Sequence, residues 1–492
     1  MTDIEVQTGA GRVRGRVEDG VAVFRAVPYA APPFGERRFR APSPPEPWDG
    51  VRDCLELGAT APKPPYRAVV RDLLPEPTVP GEDCLHVNVW SPDVDGSAPV
   101  LVWIHGGSFQ NGSNAVPVYD GRAFARDGVV LVNVNYRLGV DGFARLEGAP
   151  DNRGLLDQVA ALTWVRDTIA AFGGDPSRVT ICGESAGAMG VTTLTAMPAA
   201  RGLFHRVIAQ SGAGHHVVHP ETADKISAAL AGLLGVAPTA DALAAVPLDE
   251  LLVAHDRLVE IVGKDPDPAK WGEVAANMMP FEPVVDGDSL PGVPVVEIAA
   301  GRGADVDLLI GHNDDEHALF LYSLLDAVGE DQVRLVLGLF GAADGAYDTY
   351  VEQIGSTRPG DVMVAGLTDW FFRVPALRVA EARLALGADT FVYEFGWRSP
   401  VMGGVLRACH ALEIGFAFDT LSEPAGRAMV GEDPPQALAD DMHGAWVRFV
   451  RDGDPGWAAY GGERHTRRFG GHDDGEVLRD PDAERRELWP AR

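Results

Sequence analysis

The sequence predicts an α/β fold: a mostly parallel central sheet with an antiparallel N-terminal start, helices on both faces, and a helical insertion capping it. Three observations carry this. Residues 100–104 are a continuous apolar run, and 129–134, 179–182 and 306–310 are apolar apart from Asn133, Thr180 and Asp307; such runs suit strands buried on both faces. Residues 4–25 instead alternate apolar and polar around Gly9-Ala10-Gly11 and Asp19-Gly20, and Asp-Gly between alternating runs signals a hairpin. The third is Gly183-Glu184-Ser185-Ala186-Gly187, a sharp corner between the run ending at Cys182 and the small-residue stretch Ala188-Met189-Gly190-Val191. A strand, a Gly-x-Ser-x-Gly corner and a helix together lift a serine hydroxyl above a sheet edge, and the glycines permit backbone angles and a close approach that a Cβ would obstruct.

Composition bounds the rest. With 492 residues, 46% hydrophobic and 23% charged, the chain can bury a large core, and residues 1–492 read as one domain with a substrate-selecting insertion at about 219–300. A net charge of -29 and a pI near 4.7 argue against a nucleic-acid surface and against polyanionic partners. Residues 96–119 carry no charge, yet Asn, Gln, Ser, Gly and Pro run through them, so no membrane helix is expected there. The acidic start Met1-Thr2-Asp3-Ile4-Glu5 lacks the basic end and apolar core of a signal peptide. Four cysteines, at 54, 84, 182 and 409, form neither a zinc spacing nor a Cys-x-x-Cys pair. The expectation is a chain with no metal or organic cofactor. Its oligomeric state is not legible, with a monomer favoured.

In chain order, residues 30–48 are rich in proline and arginine and should wrap the surface as irregular chain. The run 100–104 breaks at His105-Gly106-Gly107-Ser108-Phe109. Leu155, Leu156, Val159, Leu162, Val165 and Ile169 recur at helical spacing, and Phe172-Gly173-Gly174-Asp175-Pro176 ends that helix. Residues 204–212 read as the next strand and its exit loop, where Ser211 is expected to bond local backbone. His215-His216 and His219 lack a carboxylate at ligand spacing, so zinc is not expected. Residues 222–300 are helical with Pro-rich breaks, and 306–310 leads into Gly311-His312-Asn313-Asp314-Asp315-Glu316-His317. A helix at 374–386 and a strand at 390–395 precede Ala408-Cys409-His410-Ala411-Leu412-Glu413, and residues 442–451 form a packing helix.

The block from Asn152 through Asp157, Trp164 and Phe172-Gly173-Gly174-Asp175-Pro176 to the serine corner resembles the type-B carboxylesterase/lipase family of α/β-hydrolases, which contains the cholinesterases. Pro28-Tyr29-Ala30, Arg38-Phe39-Arg40, Glu82-Asp83-Cys84-Leu85, His105-Gly106-Gly107 and Asn135-Tyr136-Arg137-Leu138-Gly139 match in the same order. The resemblance covers nearly the whole chain and thins between His219 and Asp305. It implies an α/β-hydrolase fold and a catalytic triad of Ser185, Glu316 and His410, in the chain order that fold requires. Glu316 is selected over its rivals Asp314 and Asp315, which should then face solvent, although His317 stands where the family has glycine. The backbone N–H groups of Gly107, Ser108 and Ala186 would form the oxyanion hole, with Ser108 departing from the family's glycine or alanine. Phe109, Glu184 and Phe320 are expected to border the substrate. Family positions also imply ion pairs Arg38–Glu82 and Arg137–Asp157. The family's bridging partner of Cys84 is here Ala61, leaving Cys54 off position as the sole upstream thiol, which implies free thiols and a cytoplasmic chain.

On these roles the expected chemistry is hydrolysis of small neutral carboxylic esters through an acyl-enzyme, with carbamates as an alternative on the same triad. A cholinesterase-like specialist fits less well, because no tryptophan lies between Cys54 and Cys84 to receive a quaternary ammonium. A non-catalytic binding protein on the same fold is the remaining class, disfavoured because every catalytic residue type is present.

Overall fold

Two adjacent residues with positive φ, Asp19 at 50° and Gly20 at 87°, turn the chain between its second and third strands, as a tight hairpin with right-handed strand twist requires. The computed structural model describes residues 2–490; Met1 and residues 491–492, the extremes of the 1–492 span, lie outside the described residues. Thirteen strands form one sheet: β1 (Thr2–Gln7), β2 (Arg12–Glu18), β3 (Val21–Pro28), β4 (Val51–Asp53), β5 (His86–Ser91), β6 (Ala98–Ile104), β7 (Val130–Val134), β8 (Gly174–Glu184), β9 (Arg206–Gln210), β10 (Asp307–Asn313), β11 (Thr390–Phe395), β12 (His465–Phe469) and β13 (Val477–Arg479). Their order is β1-β2-β3-β5-β7-β6-β8-β9-β10-β11-β12-β13, with β4 beside β2. Pairing is antiparallel from β1 through β5 to β7, parallel from β7 to β12, and antiparallel again at β13.

The continuous apolar runs now have a cause. Alternate residues of β6, Val100, Val102 and Ile104, pack with Leu155, Leu162 and Val165 of the helix Arg153–Thr168 and with Val191 and Leu194 of the helix Ala186–Ala196. Leu101 and Trp103 between them face the other layer, with Trp446, Phe449 and Val450 of the helix Gln436–Asp452. Both faces are covered, so neither parity of the strand is polar.

The expected insertion is helical, with Pro220–Leu234 and Leu248–Lys264 its longest members. Of the two ion pairs implied by resemblance, Arg137–Asp157 is present, buried, at 2.6 Å, and Asp157 also accepts the Arg137 N–H. Arg38 does not pair with Glu82, which is exposed. It bonds instead to Asp141, on the short helix Gly139–Phe143 that follows β7, at 2.9 Å, and to the Val246 carbonyl. All four cysteines are free and buried. His216 bonds the Phe371 carbonyl and His219 pairs with Glu273, and among the described residues no cluster of His, Cys, Asp and Glu could hold a metal. No helix among them is long and apolar enough to cross a membrane.

Candidate active site

The parallel strands β6, β8 and β10 end at one edge, and the loops that leave them carry the polar residues of the site. Ser185 follows β8 directly, with φ 55° and ψ −125°, outside the regions ordinary residues adopt. Strain of this kind persists only where surroundings hold it. A Cβ on Gly183 would lie 2.4 Å from the Gly187 backbone, and one on Gly187 would lie 2.0 Å from the Ile104 carbonyl oxygen, so the corner closes only with glycine at both places. The Ser185 N–H donates to the Gln210 carbonyl at 2.9 Å, which fixes the corner to β9.

After β6 the chain turns through Gly107 (φ 112°) and Ser108 (φ 54°). A Cβ on Gly107 would meet the Asn111 carbonyl at 2.3 Å, whereas Ser108 stands exposed at the cavity. Among the described residues the N–H groups of Gly107 and Ser108 donate to no acceptor, and that of Ala186 is the first of its helix, where no intrahelical acceptor exists. Three unpaired donors thus stand on the loops around Ser185.

His410 Nδ1 lies 2.6 Å from Glu316 Oε2, and its backbone N–H donates to the Glu316 carbonyl. The other carboxylate oxygen of Glu316 accepts the Asn313 N–H at 2.8 Å. His317 has φ −70°, so the turn needs no glycine there and the Cβ is accommodated. Asp315 does not face solvent as expected, and Asp314 does so only in part, its side chain 26% exposed. Asp314 bonds Arg468 at 2.7 Å, and Asp315 is buried between Arg398, Arg407 and the Ala408 N–H. Cations supplied by distant segments draw both carboxylates inward, and burial pushes Asp314 up to about 7.

Ser185, Glu184, Ser108, Phe320 and His410 line one cavity of about 500 Å³. Phe109, expected at the substrate, is fully buried instead, its ring 4.9 Å from Phe143. Its φ of 58° turns the side chain under the loop. Phe320 is 38% exposed, with its ring 5.5 Å from that of His410. Ser211 also departs from expectation: at φ 54° its hydroxyl is buried and finds no partner, while its N–H bonds the Gly311 carbonyl.

Electrostatically the site is built on carboxylates. Glu184 Oε1 approaches His410 Nε2 to 3.1 Å, within ion-pair range but unaligned for a hydrogen bond. Burial opposes a charged imidazole, yet Glu184 and Glu316 outweigh it and push His410 up to about 9. Burial pushes Glu184 up to about 8, partly offset by His410. Behind them, Glu413 accepts from Gln210 at 3.1 Å and Asn313 at 2.7 Å, and Trp446 donates to Gln210 at 2.9 Å.

A family model described as the carboxylesterase family matches residues 2–477. The chain belongs to the carboxylesterase family. It is 38% identical to the para-nitrobenzyl esterase of Bacillus subtilis (strain 168), over 100% of both chains. To the phenmedipham hydrolase of Pseudarthrobacter oxydans it is 39% identical, over 91% of this chain and 90% of that one. Its structure superposes on the carboxylesterase of Geobacillus stearothermophilus with a TM-score of 0.84 and 35% identity, covering 99% of this chain and 100% of that one. The fold is therefore that of the α/β-hydrolases, and this member of the carboxylesterase family is a hydrolase of carboxylic ester bonds.

Sequence reasoning missed several residues around the cavity of this esterase. The approach of Glu184 to His410 joins two segments 226 positions apart, and only the fold shows it. For the wall formed by Trp370, Phe371 and Phe372 the available signal is three aromatics in a row, just ahead of the helix expected at 374–386. Glu413 stood in the same motif as His410, and its spacing of three was the one available signal.

Proposed function

We propose that this chain hydrolyses small, neutral carboxylic esters through an acyl-enzyme formed on Ser185. The carrying observation is the 2.6 Å contact of His410 Nδ1 with Glu316, which leaves Nε2 turned to the cavity that Ser185 lines. His410 takes the Ser185 proton as the hydroxyl oxygen attacks the carbonyl carbon. Glu316 holds the imidazole's tautomer and stabilises its charged form. The unpaired N–H groups of Gly107, Ser108 and Ala186 receive the oxyanion. The alcohol leaves with the proton from His410, and water repeats the sequence to release the acid. The walls are mostly apolar, and their charged side chains besides the histidines are Glu184, Asp256 and Arg67, of both signs, which favours neutral substrates.

Carbamate hydrolysis is the second reading, favoured by the 39% identity to a phenmedipham hydrolase; the same residues would transfer a carbamoyl group. Incubation with an organophosphate followed by mass spectrometry should give one adduct, on Ser185. Ser185→Ala should lose roughly 10⁶-fold in kcat with an unchanged melting temperature. More than a hundredth of wild-type turnover in that variant would sink the assignment.

A further inference from the structure

Trp370, Phe371 and Phe372 line the cavity from a single π-helical turn, Asp369–Arg373, set between the α-helices Pro359–Thr368 and Val374–Leu384. Such a turn carries one residue too many for an α-helix and survives where neighbours hold it. Here the neighbours are charges. Asp369 and Arg373 flank the aromatic triplet and are 0% and 1% exposed. Asp369 accepts from Arg485 at 2.7 and 3.1 Å and from the Tyr350 hydroxyl at 2.8 Å. Tyr350 in turn receives the Trp489 indole N–H at 2.7 Å. Arg373 donates to the carbonyls of Pro481 and Asp482 at 2.8 and 3.1 Å. Both ends of the turn are thus tied to residues 481–489.

We propose that this C-terminal segment is a positioning element that sets which esters the site accepts. The proposal rests on the esterase reading of the cavity. Phe372 lies with its ring 4.7 Å from that of His410, and Phe371 stacks on His216 at 4.1 Å, so displacement of the turn moves the wall against the reacting histidine. Apolar packing alone is non-directional, whereas a buried carboxylate with three bonded donors fixes the backbone that carries it. Within each pair of substrates, the ester that gains a phenyl ring on its acyl or its alcohol side should sense the clamp, and its smaller counterpart should not.

The test compares Arg485→Met, Arg485→Lys and Tyr350→Phe with wild type, using rates per titrated active site. The substrates are p-nitrophenyl acetate against p-nitrophenyl benzoate, and ethyl acetate against benzyl acetate. Expected is a fall of at least fivefold in one aryl-to-small ratio of kcat/KM for Arg485→Met, expressed in KM. Arg485→Lys should recover most of it, and Tyr350→Phe should move the same ratio at least twofold. Ratios unchanged within twofold, or one common factor lost on all four esters, would overturn the proposal. Should Arg485→Met not fold, Tyr350→Phe decides by the same ratio. If wild type cleaves none of the four, the esterase reading fails. The clamp is then judged by calorimetric affinity for 4-phenylbutan-2-one, a ketone of ester-like shape: weaker binding in Tyr350→Phe supports it, and equal binding overturns it.

Discussion

Replacing Glu184 by Gln keeps the shape of the side chain and removes the charge that faces His410. At 3.1 Å, with side chains only 4% and 6% exposed, an ionised Glu184 would favour the imidazolium by about 5 kcal/mol at an effective dielectric constant near 20. That is an upper limit of some four pKa units. Glu184 is itself pushed up to about 8, so near neutrality it carries a proton much of the time and exerts only part of this effect. Glu316 also remains to hold His410 up. The expected net change is a fall of about one unit in the pKa of His410, or about 1.4 kcal/mol. The sign follows from the proposed mechanism: there His410 must be neutral to accept the serine proton, so activity is lost as pH falls through its pKa. Lowering that pKa extends activity toward acid. The assay is kcat/KM for p-nitrophenyl acetate from pH 5 to pH 9.5, which reports the free enzyme. Relative to its own plateau, Glu184→Gln should be about tenfold more active than wild type on the acid limb. An acid-limb pKa that stays put or rises would refute the argument that Glu184 holds the proton on His410.

Glu316→Gln should lower kcat on the order of 10⁴-fold, by analogy with neutralised carboxylates in other triads. Asp314→Asn and Asp315→Asn should cost far less turnover and show their effect in thermal stability, since both carboxylates bond arginines away from His410. A larger kcat loss in either aspartate variant would reassign the acid. Arg137→Met strands Asp157 with 0% exposure and should cost about 3–5 kcal/mol in chemical denaturation; a loss under 1 kcal/mol would mean the pair is not buried as described. A thiol reagent under denaturing, non-reducing conditions should count four free cysteines and few or none in the native protein, because all four are buried. A count of two would reveal a bridge.

What could be read from the sequence was whatever local geometry dictates. The four apolar runs became β6, β7, β8 and β10 because strands covered on both faces have no polar parity, and the corner at Ser185 was legible because its two glycines meet backbone on every side. The contact of Glu316 with His410 followed from resemblance, which carries tertiary information that no local pattern holds. Partner choice was the part that stayed hidden. Arg38 was matched to Glu82 by resemblance, and the partner it finds is Asp141, on the short helix after β7. Asp314 and Asp315 look like solvated loop acids until Arg468, Arg398 and Arg407 arrive from segments up to 154 residues away. Phe109 belongs to the core for the same reason, since a φ of 58° at one residue reverses which side of the loop its ring occupies.

The sheet runs open from β1 to β13, and an open edge is a template for other chains. Along β1, Asp3 and Glu5 project among exposed neighbours, matched within the chain by Arg16, Arg12 and Arg14 of β2. A second copy laid antiparallel against that edge would bring its own Asp3 and Glu5 toward the same carboxylates, with no arginine on its outer side to answer them. At the far end β13 is only three residues long, a very short edge strand, and it ends in Arg479. Charged side chains along β1 and the brevity of β13 therefore blunt both open edges of the largest element in the molecule against pairing with another chain.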